Sequence, residues 1–247
     1  MIVRTLFSIL TGLLLTTSCL TCSAAPAKLR VLLVTGGHDF DHKAFAEMLD
    51  SFTAVTWREV THPDSDAWFT PEKRGQYDIV ALYDMPQQAT EAHKKLFSET
   101  IRQGKGLLVL HHALGAYNSW PEYTKIIGGK YLLAPETIDG KQWPGSTYHE
   151  GVSFRVHVAD PKHPITKGLK DYDIDDEVYG GFLVEPMVHA LLQTDFAESG
   201  PIIGWTHQYG KARVVYLAGG HGPSAYINAN YRLLVQRSIL WVAGKLK

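Results

Sequence analysis

Two adjacent histidines, His111 and His112, follow directly on the apolar run Gly106-Leu107-Leu108-Val109-Leu110. Imidazole titrates near neutrality, so it can take up and return a proton, and its neutral form ligates transition metals. Three further histidines stand in settings that leave them uncovered. His38 follows Thr35-Gly36-Gly37, His149 lies in Tyr148-His149-Glu150, and His221 lies between Gly219-Gly220 and Gly222. A separate segment places four carboxylates, Asp173, Asp175, Asp176 and Glu177, within five residues. Such charges repel one another unless a cation or hydrogen-bond donors offset them. Asp173 and Asp175 read as solvated, whereas Asp176 and Glu177, with Tyr179 close behind, are the stronger candidates. In an extended segment Glu177 and Tyr179 face one side, so a carboxylate and a phenol can address one ligand.

This inventory supports two chemistries. Neutral imidazoles with a carboxylate suit Zn²⁺ or another divalent transition ion. His38, His111, His149 and His221 are the candidate ligands, although they do not form a short-range motif such as His-Glu-x-x-His. The metal-free alternative is acid/base work beside a carbonyl, with His111, His112 and His221 moving protons and Glu177 assisting. No nucleotide cofactor is expected.

The surrounding residues indicate what must position these groups. The run before His111 is too short for a helix and reads as a strand buried on both faces, as in parallel sheets. In open α/β sheets, ligands bind at the carboxyl ends of the strands. Leu29–Val34 reads as a first strand, ending in the glycine turn before His38. His38 also reads as a turn residue bonded to nearby backbone. Asp41 caps a helix with Phe45, Met48, Leu49 and Phe52 on its apolar face, and His42 is read as exposed. Strands follow at 54–60 and 77–83, and a helix beginning at Thr90 ends at Gly104. Ser119 is read as the cap of a short helix containing Pro121. Residues 131–151 lack a clean period and read as a long loop over the site. Ser153–Val158 reads as a strand, and His163, before Pro164, as structural. Strands at 188–194 and 201–207, with a last one at 212–218, include an antiparallel hairpin turning at Tyr209-Gly210-Lys211. Asn230 is read as the cap of the terminal helix. Alternating strands and helices imply right-handed crossovers and a mostly parallel sheet.

The first 27 residues read as a secretory signal: Arg4, an apolar stretch from Leu6 to Thr17, then small residues through Ala27, after which cleavage is placed. A retained membrane anchor is the competing reading. Lipid attachment at Cys19 is disfavoured, because Thr16-Thr17-Ser18 matches a lipobox poorly. Both cysteines, Cys19 and Cys22, fall in this leader, so the mature chain has no thiol. With 24 Lys+Arg against 25 Asp+Glu there is no basic excess to bind nucleic acid. The expectation is one domain over residues 28–247, secreted or periplasmic, with no stable transmembrane span. Nothing indicates an oligomeric state.

The ordered set Gly36-Gly37-His38, His111-His112-Ala113, Asp176-Glu177-Val178-Tyr179, and Tyr209 to Tyr216 followed by Gly220-His221 resembles the ThuA-like, trehalose-utilisation family. The resemblance runs over about residues 30 to 244. It implies a flavodoxin-like sheet flanked by helices and related to class I glutamine amidotransferases. In that superfamily a cysteine occupies the turn after the central strand and a histidine follows a late strand; these positions match His111 and His221. The departure matters, since a histidine at the elbow cannot do thioester chemistry, and glutamine amidotransferase activity is not expected.

The resemblance further implies a small carbohydrate substrate, a 3-keto sugar or 3-keto-glycoside. Its keto group acidifies the C2 proton, and the glycosidic oxygen can then leave by β-elimination. Trp120, Trp143 and Tyr179 become candidate sugar platforms and Asp176 a candidate substrate contact, although core packing explains the rings equally well. The competing class is a non-catalytic exported sugar-binding protein using the same pocket.

Overall fold

The computed structural model describes residues 1–2 and 27–247. The expected leader, with Cys19 and Cys22, lies outside the described residues. Strand β1 (Leu29–Gly36) leads into helix α1 (His42–Asp50), then β2 (Val55–Thr61), β3 (Ile79–Asp84), α2 (Glu91–Arg102) and β4 (Gly106–Leu110). A tight helical turn at His111–Gly115 precedes α3 (Pro121–Ile127). The second half supplies β5 (Thr147–Val158), β6 (Tyr172–Gly180), β7 (His189–Gln193), β8 (Ile202–Tyr209) and β9 (Ala212–Leu217). Helices α4 (Pro223–Ile227) and α5 (Ala229–Val242) complete the chain.

These strands form one nine-stranded sheet in the order β2-β1-β3-β4-β9-β8-β7-β5-β6. The first five run parallel. From β8 outward every pairing is antiparallel. The flavodoxin-like parallel core with an antiparallel addition is therefore present, and the addition extends well beyond one hairpin. Strands β3 and β4 are buried at every residue, as continuous apolar runs in the middle of a parallel sheet require. Gly106 lets α5 approach closely, because a Cβ there would fall 2.3 Å from the Val242 carbonyl oxygen.

Local signals set most boundaries. Asp41 accepts the Ala44 N–H at 2.9 Å and Thr90 accepts the His93 N–H at 3.0 Å, both as expected of N-caps. Three expectations need correction. Trp120, not Ser119, precedes α3, and it makes no side-chain cap; Pro121 sets the first turn without one. Asn228, not Asn230, caps α5, accepting the N–H groups of Asn230 and Tyr231. Residues 131–151 are not simply a loop: 136–138 pair with 141–143, and β5 begins at Thr147. Among the described residues, no helix is long and apolar enough to cross a membrane.

The turn after β9 is the least tolerant point in this frame. Gly220 has φ +111°, and a Cβ there would lie 2.0 Å from the Tyr231 hydroxyl oxygen. Backbone strain and overpacking together make Gly220→Ala cost roughly 2 kcal/mol or more. The expected fall in melting temperature is roughly 4–8 °C, measured by calorimetry against the parent chain.

Candidate functional site

The carboxyl ends of β1, β4 and β9 bring His38, His111 and His221 to one rim, and β6 approaches with Glu177 and Tyr179. A cavity of about 240 Å³ opens there, lined by His38, His112, Glu177, Tyr179 and His221 together with Met85, Gly115, Tyr131, Leu133, Tyr148 and Glu150. That volume lies near the small end for ligand pockets.

His111 is fully buried and has φ +47°, a left-handed conformation uncommon for a residue with a Cβ. Two contacts hold it. Its Nδ1 donates to the Ala218 carbonyl at 2.7 Å, and its own carbonyl accepts from the Tyr216 hydroxyl at 3.2 Å. Because a carbonyl only accepts, Nδ1 carries a proton, and Nε2 is the nitrogen turned toward the other groups of the site. Three groups meet Nε2: the Tyr179 hydroxyl at 2.9 Å, Glu177 Oε2 at 2.9 Å and His221 Nδ1 at 3.2 Å. Glu177 Oε2 also lies 3.0 Å from His221 Nδ1.

Two imidazoles and a buried carboxylate this close need a proton or a cation among them. Burial alone would raise the Glu177 pKa, but its hydrogen bonds to His111 and His221 outweigh that and bring it down to about 2. The same Glu177 contact raises the pKa of His221. His221 is therefore drawn toward imidazolium and Glu177 is held as carboxylate. With Nδ1 turned to Glu177, His221 Nε2 faces the cavity side, 4.0 Å from Glu150 Oε1.

The His221 backbone is fixed independently. Asp176 is buried and accepts the N–H of Gly220 at 2.6 Å and of His221 at 3.0 Å. Tyr83 donates to the Gly220 carbonyl and Tyr226 to the His221 carbonyl. Asp176 thus positions a loop instead of contacting substrate, which corrects its expected role.

His112 forms part of the cavity wall. Neither ring nitrogen has a hydrogen-bond partner among the described residues. Burial, reinforced by His111 and His38, lowers its pKa to about 2, so it stays neutral. His38 stacks on it at 4.4 Å while its Nδ1 bonds the Asp39 carbonyl. His38 is thus the backbone-bonded turn residue that the sequence offered, and it lines the cavity without joining the ligand atoms of His111, Glu177 and His221.

Three candidates lie elsewhere. His149 is exposed and does not line the cavity; on β5 it alternates with Tyr148 and Glu150, which do. Trp120 is buried among Phe97, Tyr117 and Tyr123. Trp143 sits in the small hairpin beneath the Lys141 ammonium, 4.1 Å away. Neither indole is a platform in this cavity. Its aromatic lining is Tyr131, Tyr148 and Tyr179. Strand alternation through Tyr148-His149-Glu150 was the signal for two of the missed residues, and the lack of a period around it concealed the strand.

A parallel sheet with a strained elbow after its central strand, faced by a histidine from a late strand, defines the class I amidotransferase-like architecture, here with imidazole at the elbow. The sequence matches the family model described as trehalose utilisation, ThuA, over residues 30–242, and the chain belongs to that family. It is similar to the crystal structure of a ThuA-like protein from Parabacteroides merdae, with TM-score 0.75 and 21% identity, covering 89% of this chain and 92% of that one. A ThuA-like protein from Bacteroides uniformis gives TM-score 0.68 at 21% identity, covering 92% and 96%. A GMP synthase component from Thermoplasma acidophilum gives TM-score 0.54 at 11% identity, covering 88% and 94%. At these identities the likeness establishes the fold alone. No curated protein matches the sequence.

The Glu177–His221 contact can be tested directly. In nuclear magnetic resonance titrations His221 should titrate above the ordinary imidazole value of about 6.5. Glu177→Gln should bring it back to that value or lower. An unchanged His221 titration in Glu177→Gln would show that the contact does not set its protonation.

Proposed function

We propose that the protein is an exported carbohydrate-active enzyme acting on 3-keto sugars or 3-keto-glycosides by histidine-based proton abstraction and elimination. The observation that carries this reading is the Glu177 carboxylate held between His111 and His221 beside a sugar-sized cavity. Family membership supports the substrate class. Glutaminase chemistry is not proposed, because the elbow residue is an imidazole.

In the proposed reaction His221, in its neutral form, takes the C2 proton through Nε2, the nitrogen that Glu177 leaves free. The electron pair moves onto the keto oxygen as an enolate. Collapse of the enolate forms the C1–C2 double bond and breaks the bond from C1 to the glycosidic oxygen. That oxygen leaves with the proton from the His221 imidazolium. Water then adds across the double bond. Glu177 stabilises the imidazolium between these steps, as a carboxylate behind a catalytic histidine does. Tyr131 and Tyr148 offer ring faces to the sugar, Tyr179 being stacked on His111, and the leaving group would extend through the open side.

A metal-assisted variant has its own observation. His111 Nε2, Glu177 Oε2 and His221 Nδ1 form a triangle with edges of 2.9, 3.0 and 3.2 Å. Ion–ligand bonds of about 2.1 Å in a tetrahedral site place neighbouring ligand atoms roughly 3.4 Å apart, so with each edge opened by roughly 0.5 Å or less these residues fit a divalent transition ion such as Zn²⁺. Such an ion would polarise the substrate carbonyl. Of the four ligands expected from sequence, only His111 and His221 belong to the triangle; Glu177 takes the third corner.

Incubating the protein with an aryl 3-keto-glucoside, before and after chelation, distinguishes these readings. Aglycone release is expected, falling at least ~100-fold in His221→Ala. The metal-free rate should rise with pH through a value above about 6.5, since the base form of His221 appears only above its raised pKa. Loss on chelation with rescue by one metal would select the metal-assisted variant. Saturable sugar binding without turnover would mark a non-catalytic binder.

A further inference from the structure

A second cluster of ligating side chains lies at the ends of β2 and β3 and shares no residue with the His111 triangle. His62 stands just past β2, Asp66 on the short 3₁₀ helix at Asp64–Phe69, and His93 on α2. His62 Nδ1, Asp66 Oδ1 and His93 Nδ1 all lie within 4.8 Å of one another. We propose that these three side chains form a second divalent transition-metal site, of the Zn²⁺ class, independent of the cavity and of the keto-sugar reading.

The three ligand atoms crowd about one carboxylate oxygen. His93 Nδ1 lies 2.5 Å from Asp66 Oδ1, so one proton is shared between them. Asp66 Oδ1 is also 3.9 Å from His62 Nδ1, which has the Tyr117 hydroxyl 3.3 Å away. That hydroxyl neighbours a further carboxylate, Asp84. Asp84 is fully buried, and burial pushes its pKa up to about 8, so it stays a neutral acid near neutral pH. One carboxylate and two imidazoles thus meet over one shared proton and one phenol. A pairing built only for stability would need His93 and Asp66 alone. A second imidazole, His62, turned to the same carboxylate oxygen points to a cation there.

The elements around the site hold it in place. His93 is packed between Phe69, Phe97 and Tyr117. Tyr117 is fixed at φ +47°, a conformation that persists only where the surroundings enforce it. Asp66 and His62 keep 29% and 15% of their side-chain surface exposed, which gives an ion a route in. Binding displaces the proton between His93 and Asp66 to solvent. Asp66 then withdraws to open that gap to roughly 3.4 Å while His62 closes in from 3.9 Å.

The test is zinc binding in a His221→Ala background, where the His111 triangle is broken. Crystals grown with a twofold molar excess of ZnCl₂ should show an anomalous peak bonded to His62, Asp66 and His93. Calorimetric zinc affinity should fall at least tenfold in Asp66→Asn and in His62→Ala. His62 is partly exposed, so His62→Ala remains informative if Asp66→Asn fails to fold. Absence of a peak at these side chains, or unchanged affinity in a folded variant, would overturn the proposal. Turnover of keto-glycosides has no bearing on either result.

Discussion

A carboxylate buried between two imidazoles must be answered by positive charge, and much of the molecule is arranged around that requirement. Glu177 is 6% exposed and touches both His111 and His221. Removing a carboxylate from water favours its neutral form, so without those rings it would hold its proton. With them it is an anion that raises the basicity of His221. The ionisation state of the cavity floor therefore depends on where two rings from distant strands come to rest. A shift of either ring by an ångström or so would return Glu177 toward the neutral acid.

The sheet order meets that positional demand. Parallel β4 and β9 are neighbours, so the residues following them emerge side by side at one rim. The elbow places His111 over the core, where the Ala218 carbonyl from the end of β9 fixes its ring. Strand β6 is the far edge of the antiparallel wing in pairing order, yet it closes back over this rim. Its consecutive acids divide the work. Asp176 grips the peptide N–H groups of Gly220 and His221, while Glu177 grips the imidazoles. The loop and the ring it carries are thus held by separate bonds, and loss of one need not release the other.

Much of this was legible in the residues, and the failures share a cause. The alternation of apolar runs with capped helices announced the parallel core, and the glycines beside His38 and His221 announced uncovered side chains. Glu177 and Tyr179 were paired correctly because strand geometry alone places them on one face. Asp176 was misread because nothing in a linear sequence says that its oxygens will meet backbone N–H groups from residues 220 and 221. Trp120 was misread for a related reason: its aromatic partners are spread over residues 97–123. His149 is different, since its orientation follows from alternation once β5 is seen to start at Thr147. The irregular composition before that strand hid the period.

The elbow itself narrows what the site can do. In an amidotransferase the residue at this turn must present a thiolate that is free to attack. His111 is not free: Nδ1 is committed to a carbonyl, and Nε2 faces a phenol, a carboxylate and a second imidazole. A ring tied at both nitrogens is a poor nucleophile, but it is a well-fixed donor, base or ligand. His221, by contrast, is tied at one nitrogen and 36% exposed. The two histidines therefore divide into a static member and an accessible member. The strain at φ +47° belongs to the static one, where packing can enforce it. With imidazole in place of a thiol at the elbow, the more accessible nitrogen of the pair lies on the loop after β9 and not at the end of the central strand.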